Sequence, residues 1–157
     1  MKPRLYIETT IPSYLVARRS RDARLAADQE TTLRWWDEKR GGYELFTSEL
    51  VLDESASAER TMADARHKIL AGIPQLDQTL TVDRLAERIL ARDIIPHSSA
   101  PDTTHIALAA VHAMNFLLTW NCKHIANPFH RRRVETVCSE AGFECPQICT
   151  PAALMET

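Results

Sequence analysis

Short apolar stretches alternate with longer amphipathic stretches along this chain. Runs with the length and composition of strands occur at residues 4–9, 43–47, 115–120 and 147–149, with a weaker one at 74–80. Between them, apolar residues recur with the spacing of one helix face. Strands that alternate with helices favour a parallel sheet covered on both faces. The pattern therefore predicts an α/β fold, a three-layer α/β/α sandwich with a central parallel sheet.

Most of the predicted helices are bounded by recognisable start and stop residues. Gly41, Gly42 and Gly142 follow two of the helical stretches, and glycine commonly ends helices because it adopts left-handed backbone angles. No internal repeat, low-complexity tract or linker interrupts the pattern, which indicates a single domain over residues 1–157. Helices are predicted at 24–40, from about 48, at 59–70, from 81, at 102–113 and at 129–141, with a last turn from 150.

Composition narrows the class of protein. The chain has 157 residues, of which 45% are hydrophobic, as expected for one domain with one core. Nineteen Lys and Arg residues against 21 Asp and Glu give a net charge of −2, which argues against a protein that binds phosphate over its whole surface. None of the four glycines belongs to a dinucleotide fingerprint or a phosphate-binding P-loop, so neither motif is present.

The apolar runs are too short for membrane spans. None approaches the roughly 18 residues that a transmembrane helix needs. The first ten residues lack the apolar run and the small-residue cleavage site of a signal peptide. We therefore expect a cytoplasmic protein without membrane contact, in which cysteines stay reduced.

The four cysteines all lie in the last quarter of the chain, and two interpretations remain open for them. A zinc site formed by Cys122, His124, Cys145 and Cys149 is one interpretation. Zinc ligands usually come in Cys-x2-Cys pairs, whereas the pair here is Cys-x3-Cys. Buried structural thiols are the favoured interpretation, since Cys138 and Cys149 fall in apolar helical and strand-like stretches.

Oxygen-bearing side chains stand where the predicted strands end. Glu8 lies at the end of the first predicted strand, and Asn121 directly follows the predicted strand at residues 115–120. Glu54 lies early in the helical region after the second strand, and Asp102 lies in the first turn of a later helix. In open α/β sheets, sites form at the carboxyl ends of the strands, where the strand order reverses. The sequence therefore predicts that these four side chains gather at one edge of the sheet.

Four segments that carry these residues resemble the PIN domain, the metal-dependent nuclease fold of VapC-type bacterial toxins and related RNA-processing enzymes. The resemblance covers nearly the whole chain. Two positions depart from the usual family pattern, because Glu8 and Asn121 both stand where most members have Asp. The matching segments are Ile-Glu-Thr-Thr around Glu8, residues 48–54 ending in Glu54, Asp-Thr-Thr-His-Ile-Ala from Asp102, and Leu-Leu-Thr-Trp-Asn ending in Asn121.

The resemblance implies a Mg²⁺- or Mn²⁺-dependent ribonuclease that leaves a 5′-phosphate and a 3′-hydroxyl. One biological role that the resemblance implies is that of the toxin in a toxin–antitoxin pair. Both cations prefer oxygen ligands. Converging carboxylates repel one another, and a divalent ion relieves that repulsion while activating water for attack on phosphorus. The implied catalytic and metal-binding residues are Glu8, Glu54, Asp102 and, as a neutral ligand or water positioner, Asn121, with Thr9 and Thr119 orienting them by hydrogen bonds.

Each candidate also has an ordinary structural interpretation. Asp102 could simply favour a helix start, Glu54 could be an exposed helix carboxylate, and Asn121 could be a turn residue. His105 is expected to be packed and hydrogen-bonded rather than a ligand, since Mg²⁺ prefers oxygen. The alternative function is a catalytically weak PIN-fold module that binds RNA or a protein partner, and the variant residues Glu8 and Asn121 favour it.

Basic residues follow the strand that precedes Asn121. Lys123, Arg131, Arg132 and Arg133 are the predicted contacts to RNA phosphates. A solvated helix face explains the three arginines equally well. The resemblance further implies a homodimer and an antitoxin that masks the cleft.

Overall fold

The computed structural model describes residues 1–156, which fold around a five-stranded sheet. The strands are β1 (Arg4–Ile7), β2 (Glu44–Ser48), β3 (Gln75–Leu76), β4 (Phe116–Leu118) and β5 (Gln147–Cys149). The α-helices are α1 (Thr10–Val16), α2 (Ala23–Glu38), α3 (Glu49–Ala56), α4 (Arg60–Leu70), α5 (Leu80–Ala91), α6 (Ala100–Val111), α7 (Pro128–Glu140) and α8 (Pro151–Met155). Within residues 1–156, no helix has both the length and the apolar character that a membrane crossing requires.

The strands lie in the order β3-β2-β1-β4-β5, and every neighbouring pair is parallel. Tyr6 of β1 is in register with Phe46 on one side and with Leu117 on the other. The chain builds outward from β1 to β3 and then returns to place β4 on the free side of β1. The strand order therefore reverses between β1 and β4, which is where α/β sheets form their sites.

Alternate residues of the central strands face two separate cores. Leu5 and Ile7 pack with Trp35 and Leu154 in a core formed with α1, α2 and α8. Tyr6 points to the opposite core, which contains buried side chains from α3 to α7. This alternation follows from the two-residue period of a strand. The predicted three-layer sandwich with a central parallel sheet is confirmed.

Several helix boundaries differ by a few residues from the sequence prediction, for local reasons. Helix α5 begins at Leu80, because Thr79 accepts a hydrogen bond from the amide of Val82. Helix α6 includes Pro101, since proline fits the first turn, where no amide hydrogen is needed. Its end at Val111 precedes the φ angle of 56° at Ala113. Side-chain caps also begin α2, α3 and α7, through Asp22, Ser48 and Asn127.

The sequence prediction missed helix α1. The first strand ends at Ile7 rather than at residue 9, and α1 follows at Thr10. Pro12 occupies the first turn of α1, where proline is tolerated. The early end of β1 and the start of α1 place residues 8–10 in a tight connection at the carboxyl edge of the sheet. The weak strand expected over 74–80 is reduced to Gln75–Leu76.

Candidate active site

The four predicted acidic and amide residues flank the reversal point of the sheet. Glu8 directly follows β1, and Asn121 comes shortly after β4. Glu54 lies in α3, the helix that follows β2, and Asp102 lies in the first turn of α6. Three different parts of the chain therefore bring carboxylates towards this edge. Their individual environments differ.

Glu8 is held by neutral donors and is only 4% exposed. Its Oε1 atom accepts hydrogen bonds from the Thr10 amide at 2.9 Å, from the Thr10 hydroxyl at 2.5 Å and from the Thr119 hydroxyl at 2.8 Å. The Thr10 hydroxyl also accepts a hydrogen bond from the Trp120 amide at 2.8 Å. Glu8 therefore ties the end of β1 to the segment that follows β4.

Glu54 is held by an imidazole and a hydroxyl. Its Oε1 atom lies 2.7 Å from Nε2 of His105 and 2.5 Å from the Thr9 hydroxyl, which donates to it. Partial burial raises the pKa of Glu54, but the hydrogen bond and charge of His105, together with the Thr9 hydrogen bond, lower it further than burial raises it. The Glu54 side chain remains 31% exposed, so water reaches the rest of the carboxylate.

His105 is fully buried and is bonded through both ring nitrogens. Its Nδ1 atom lies 2.8 Å from the Tyr6 hydroxyl, which lies 2.7 Å from the hydroxyl of Ser48. The Ser48 hydroxyl in turn accepts a hydrogen bond from the Val51 amide. A continuous series of hydrogen bonds therefore runs from the start of α3 through the core to Glu54. The prediction that His105 is a packed, hydrogen-bonded residue is confirmed.

Three carboxylates act together on the His105 ring. Burial lowers the pKa of His105, but the hydrogen bond to Glu54 and the negative charges of Glu8, Glu54 and Asp102 raise it above its usual value. Of the three, Glu54 contacts the ring directly, and Asp102 lies one turn before His105 in α6. Glu8 precedes Thr9, whose hydroxyl donates to Glu54.

Asp102 is paired with a second histidine. Its Oδ2 atom lies 2.9 Å from Nδ1 of His124, and the two side chains are 16% and 15% exposed. Asn121 supports the same loop, because its Oδ1 atom accepts a hydrogen bond from the His124 amide at 3.0 Å. The structure thus places Asn121 in the role of a turn residue. Its role as a ligand or water positioner stays a prediction.

The three carboxylates offer the type of oxygen ligand that a hard divalent cation binds. Within residues 1–156, the hydrogen bonds to Glu8, Glu54 and Asp102 each involve a single oxygen, Oε1, Oε1 and Oδ2 respectively. The second oxygen of each carboxylate carries none. Carboxylate oxygens are the ligands that Mg²⁺ and Mn²⁺ prefer. In the same part of the chain, however, no three His, Cys, Asp or Glu side chains form a ready-made metal-binding group.

The cysteines are free thiols and form no zinc site among the described residues. Cys122 is exposed in the loop after β4, whereas Cys138 and Cys149 are buried. The neighbouring Cys138 thiol, together with burial, raises the pKa of Cys145. Since no three metal-ligating side chains come together in residues 1–156, these contacts favour structural thiols.

Two of the four predicted RNA contacts are engaged within the protein. The Arg131 guanidinium donates to a backbone carbonyl of β5 at 2.6 Å, and that of Arg133 donates to the carbonyl at the end of α5 at 2.8 Å. Lys123 and Arg132 are exposed, and their side chains form no hydrogen bond or ion pair within residues 1–156. The structure therefore separates the basic set into two tethered residues and two that face solvent.

Several residues of the site were not identified from the sequence. Thr10 was overlooked beside Thr9, although a hydroxyl next to an acidic residue after a strand is a usable signal. Tyr6 and Ser48 carry no such signal, because they resemble ordinary strand residues until the fold places them beside His105. The pairing of His124 with Asp102 depends on the path of the loop after β4, which leaves no signal in the sequence.

No protein-family model matches this chain, and a search of curated proteins found no match.

Proposed function

We propose that this chain is a Mg²⁺- or Mn²⁺-dependent ribonuclease of the PIN type that hydrolyses RNA phosphodiester bonds at the edge between β1 and β4. The observation that carries the proposal is that Glu54, near the reversal point of the sheet, is hydrogen-bonded both to Thr9, the residue after Glu8, and to His105, one turn after Asp102. The motifs that resemble PIN domains contain the same three carboxylates.

The residues of this edge have distinct roles in the proposal. Glu54 and Asp102 would hold the cation directly or through water, with Glu8 as the third carboxylate. When bound, the cation polarises a phosphoryl oxygen and makes water a better nucleophile. His105 and Thr9 hold one oxygen of Glu54, which leaves the other free to bind. Thr10 and Thr119 do the same for Glu8.

A PIN-fold module that binds RNA or a protein partner with little catalysis is the second candidate. The observation that favours it is the hydrogen bond from the His124 amide to the Asn121 oxygen, which engages the residue at the fourth family position in a turn. A neutral side chain at this position also removes one negative charge from the cation site. Both effects would weaken cation binding.

The biological setting follows from the same proposal. We propose that the protein acts on RNA in the cytoplasm as a homodimer, and that an antitoxin covers the cleft if the chain is the toxin of a toxin–antitoxin pair. The exposed side chains of Lys123 and Arg132 supply positive charge for the RNA, as basic residues do in nucleic-acid interfaces.

Cleavage of a labelled single-stranded RNA in the presence of Mn²⁺ tests the proposal. We expect products with 5′-phosphate ends, loss of cleavage on addition of EDTA, and at least a 100-fold lower rate for Glu54→Gln and for Asp102→Asn, by the usual cost of losing an essential electrostatic group (~10²-fold). Asp53→Asn is the matched control, because Asp53 is an exposed carboxylate next to Glu54. This variant should cleave the RNA at the wild-type rate. Equal cleavage by all variants would indicate a contaminating nuclease and would contradict the proposal.

A further inference from the structure

Apart from the terminal Met1, Phe129 is the most exposed large apolar side chain among residues 1–156. Its exposed fraction is 89%, against 45% for Leu33 in α2 and 63% for Leu80 at the start of α5. An isolated exposed Leu needs no explanation, but a nearly fully exposed aromatic ring beside a candidate active site is unusual. Phe129 lies in the first turn of α7, where Asn127 accepts a hydrogen bond from its amide and fixes the helix start.

The surroundings of Phe129 are positively charged rather than apolar. Residues three and four positions apart share one face of a helix, so Arg132 and Arg133 lie beside Phe129 on the exposed face of α7. Lys123 is close to the same helix start, because its carbonyl accepts a hydrogen bond from the Asn127 side chain at 2.8 Å. None of the other exposed large apolar residues belongs to α7 or to the loop before it.

The start of α7 is connected to the candidate active site through two histidines. Nδ1 of His130, the residue after Phe129, lies 3.2 Å from the carbonyl oxygen of His124. Nδ1 of His124 lies 2.9 Å from Oδ2 of Asp102. The helix start that carries Phe129 is therefore linked to Asp102 through His130 and His124.

We propose that Phe129, with Lys123 and Arg132, forms a binding surface for single-stranded RNA, in which the ring stacks on an unpaired base and the two cations contact the flanking phosphates. Aromatic rings interleaved with basic side chains are the usual means of binding single strands. The inference rests on the proposed function and deepens it, since it names side chains outside the carboxylate cluster that hold the RNA. Bases in a duplex are stacked on one another and offer no face to Phe129.

Charge favours RNA over a protein partner at this surface. A protein–protein interface core is depleted of charged residues and needs a contiguous apolar patch. Here a single ring is flanked by solvent-facing cations, on a protein whose net charge is −2. That arrangement is complementary to a chain of phosphates with exposed bases.

Fluorescence anisotropy in EDTA tests this surface without cleavage. The probe is a labelled RNA of about twelve nucleotides without self-complementarity, compared with the same RNA annealed to its complement. We expect the wild type to prefer the single strand, Phe129→Ala to bind it about tenfold more weakly, and Phe129→Trp to restore binding. Arg132→Ala should weaken the binding of the single strand and of the duplex to the same extent, and it should reduce the salt dependence of binding.

Leu33→Ala is the matched control, because it removes an exposed apolar side chain from α2, which packs on the other face of the sheet. Unchanged binding by Phe129→Ala, equal affinity for single strand and duplex, or no binding by the wild type would each overturn the inference. A change of oligomeric state in Phe129→Ala with unchanged RNA binding would also overturn it, and would indicate a protein contact.

The two proposals fail in distinguishable ways. RNA binding that depends on Phe129 without any Mn²⁺-dependent cleavage would support the binding surface and contradict the nuclease activity. Mn²⁺-dependent cleavage that is insensitive to Phe129→Ala would support the nuclease activity and contradict the binding surface.

Discussion

Glu8 and Glu54 are both assigned to the proposed cation site, yet the fold holds them in different ways. Glu8 is 4% exposed and accepts its three hydrogen bonds from an amide and two hydroxyls, which are neutral at any ordinary pH. Glu54 is partly exposed and accepts one of its two hydrogen bonds from His105, which can gain or lose a proton. The first carboxylate is fixed by neutral donors and the second by an ionisable one.

This difference teaches what each carboxylate contributes. The Glu8 cluster joins the ends of the two central strands, so it should matter mainly to the stability of the fold at this edge. The Glu54–His105 pair links the edge to the buried core through Tyr6 and Ser48, so it should set how stability changes with pH. Four predictions test this contrast.

The largest effect is expected for His105→Ala. The substitution leaves a cavity in the core and removes a hydrogen-bond partner from both Tyr6 and Glu54. We expect the free energy of unfolding to fall by about 3 kcal/mol in urea denaturation. His97→Ala is the control, because the His97 side chain is 71% exposed, and it should change stability by less than about 0.5 kcal/mol. Similar small effects for both variants would contradict a structural role of the pair.

Glu8→Ala should have the next largest effect on stability. It leaves the donors on Thr10 and Thr119 without their acceptor in a site that water barely reaches, at a cost of about 2 kcal/mol. Glu54→Ala should cost roughly half of that, about 1 kcal/mol, because water can replace a carboxylate that is 31% exposed. Urea denaturation of the two variants side by side measures the order, and the reverse order would break the comparison.

Stability should depend on pH through Glu54 and His105. The pKa of Glu54 is lowered from 4.5, so its contribution is present above pH 4.5 and is lost as pH falls through the lowered value. The pKa of His105 is raised from 6.5, so its contribution is complete below pH 6.5 and is lost as pH rises through the raised value. Both contributions are therefore present together between pH 4.5 and 6.5.

Thermal unfolding monitored by circular dichroism checks this window. We expect the melting temperature of the wild type to be higher at about pH 6 than at about pH 8.5. The difference should shrink in Glu54→Gln, which keeps a hydrogen-bond acceptor but lacks the negative charge. The same decline in both proteins would show that other groups cause it.

An effect between those of Glu8→Ala and Glu54→Ala is expected for Tyr6→Phe. It removes the hydroxyl that is hydrogen-bonded to both Ser48 and His105, and the loss of these two buried hydrogen bonds costs about 1–2 kcal/mol in total. Tyr14→Phe is the control, since Tyr14 stacks on Trp120 through its ring and that contact survives the substitution. Urea denaturation should separate the two variants, and equal values would mean that the Tyr6 hydroxyl contributes nothing to the pair.

The strand and helix pattern was readable from the sequence because burial imposes it locally. A strand buried in a parallel sheet must be apolar, and a covering helix must be apolar on one face, so both leave periodic signals. Helix α1 was not predicted because it is only seven residues long and therefore shows little helical periodicity. The positions of Glu8 and Asp102 could be predicted because strand ends and helix starts are visible in the pattern.

The contacts within the site could not be predicted in the same way. Tyr6 reaches Ser48 and His105 only because β1, β2 and α6 come together at distances along the chain of 42 and 99 residues. The pairing of Asp102 with His124 depends on a loop whose path is set by its own turn hydrogen bonds. Long-range side-chain geometry of this kind has no local sequence signal.

Calorimetric titration of Mn²⁺ into the wild type, Glu54→Ala/Asp102→Ala and the control Asp53→Asn tests the central claim most directly. The claim is that Glu54 and Asp102 belong to one cation site, and the titration requires no knowledge of the RNA. We predict saturable binding by the wild type and by the control, and no saturable binding by the double variant. Binding that persists in the double variant, or none by the wild type at millimolar Mn²⁺, would contradict the account.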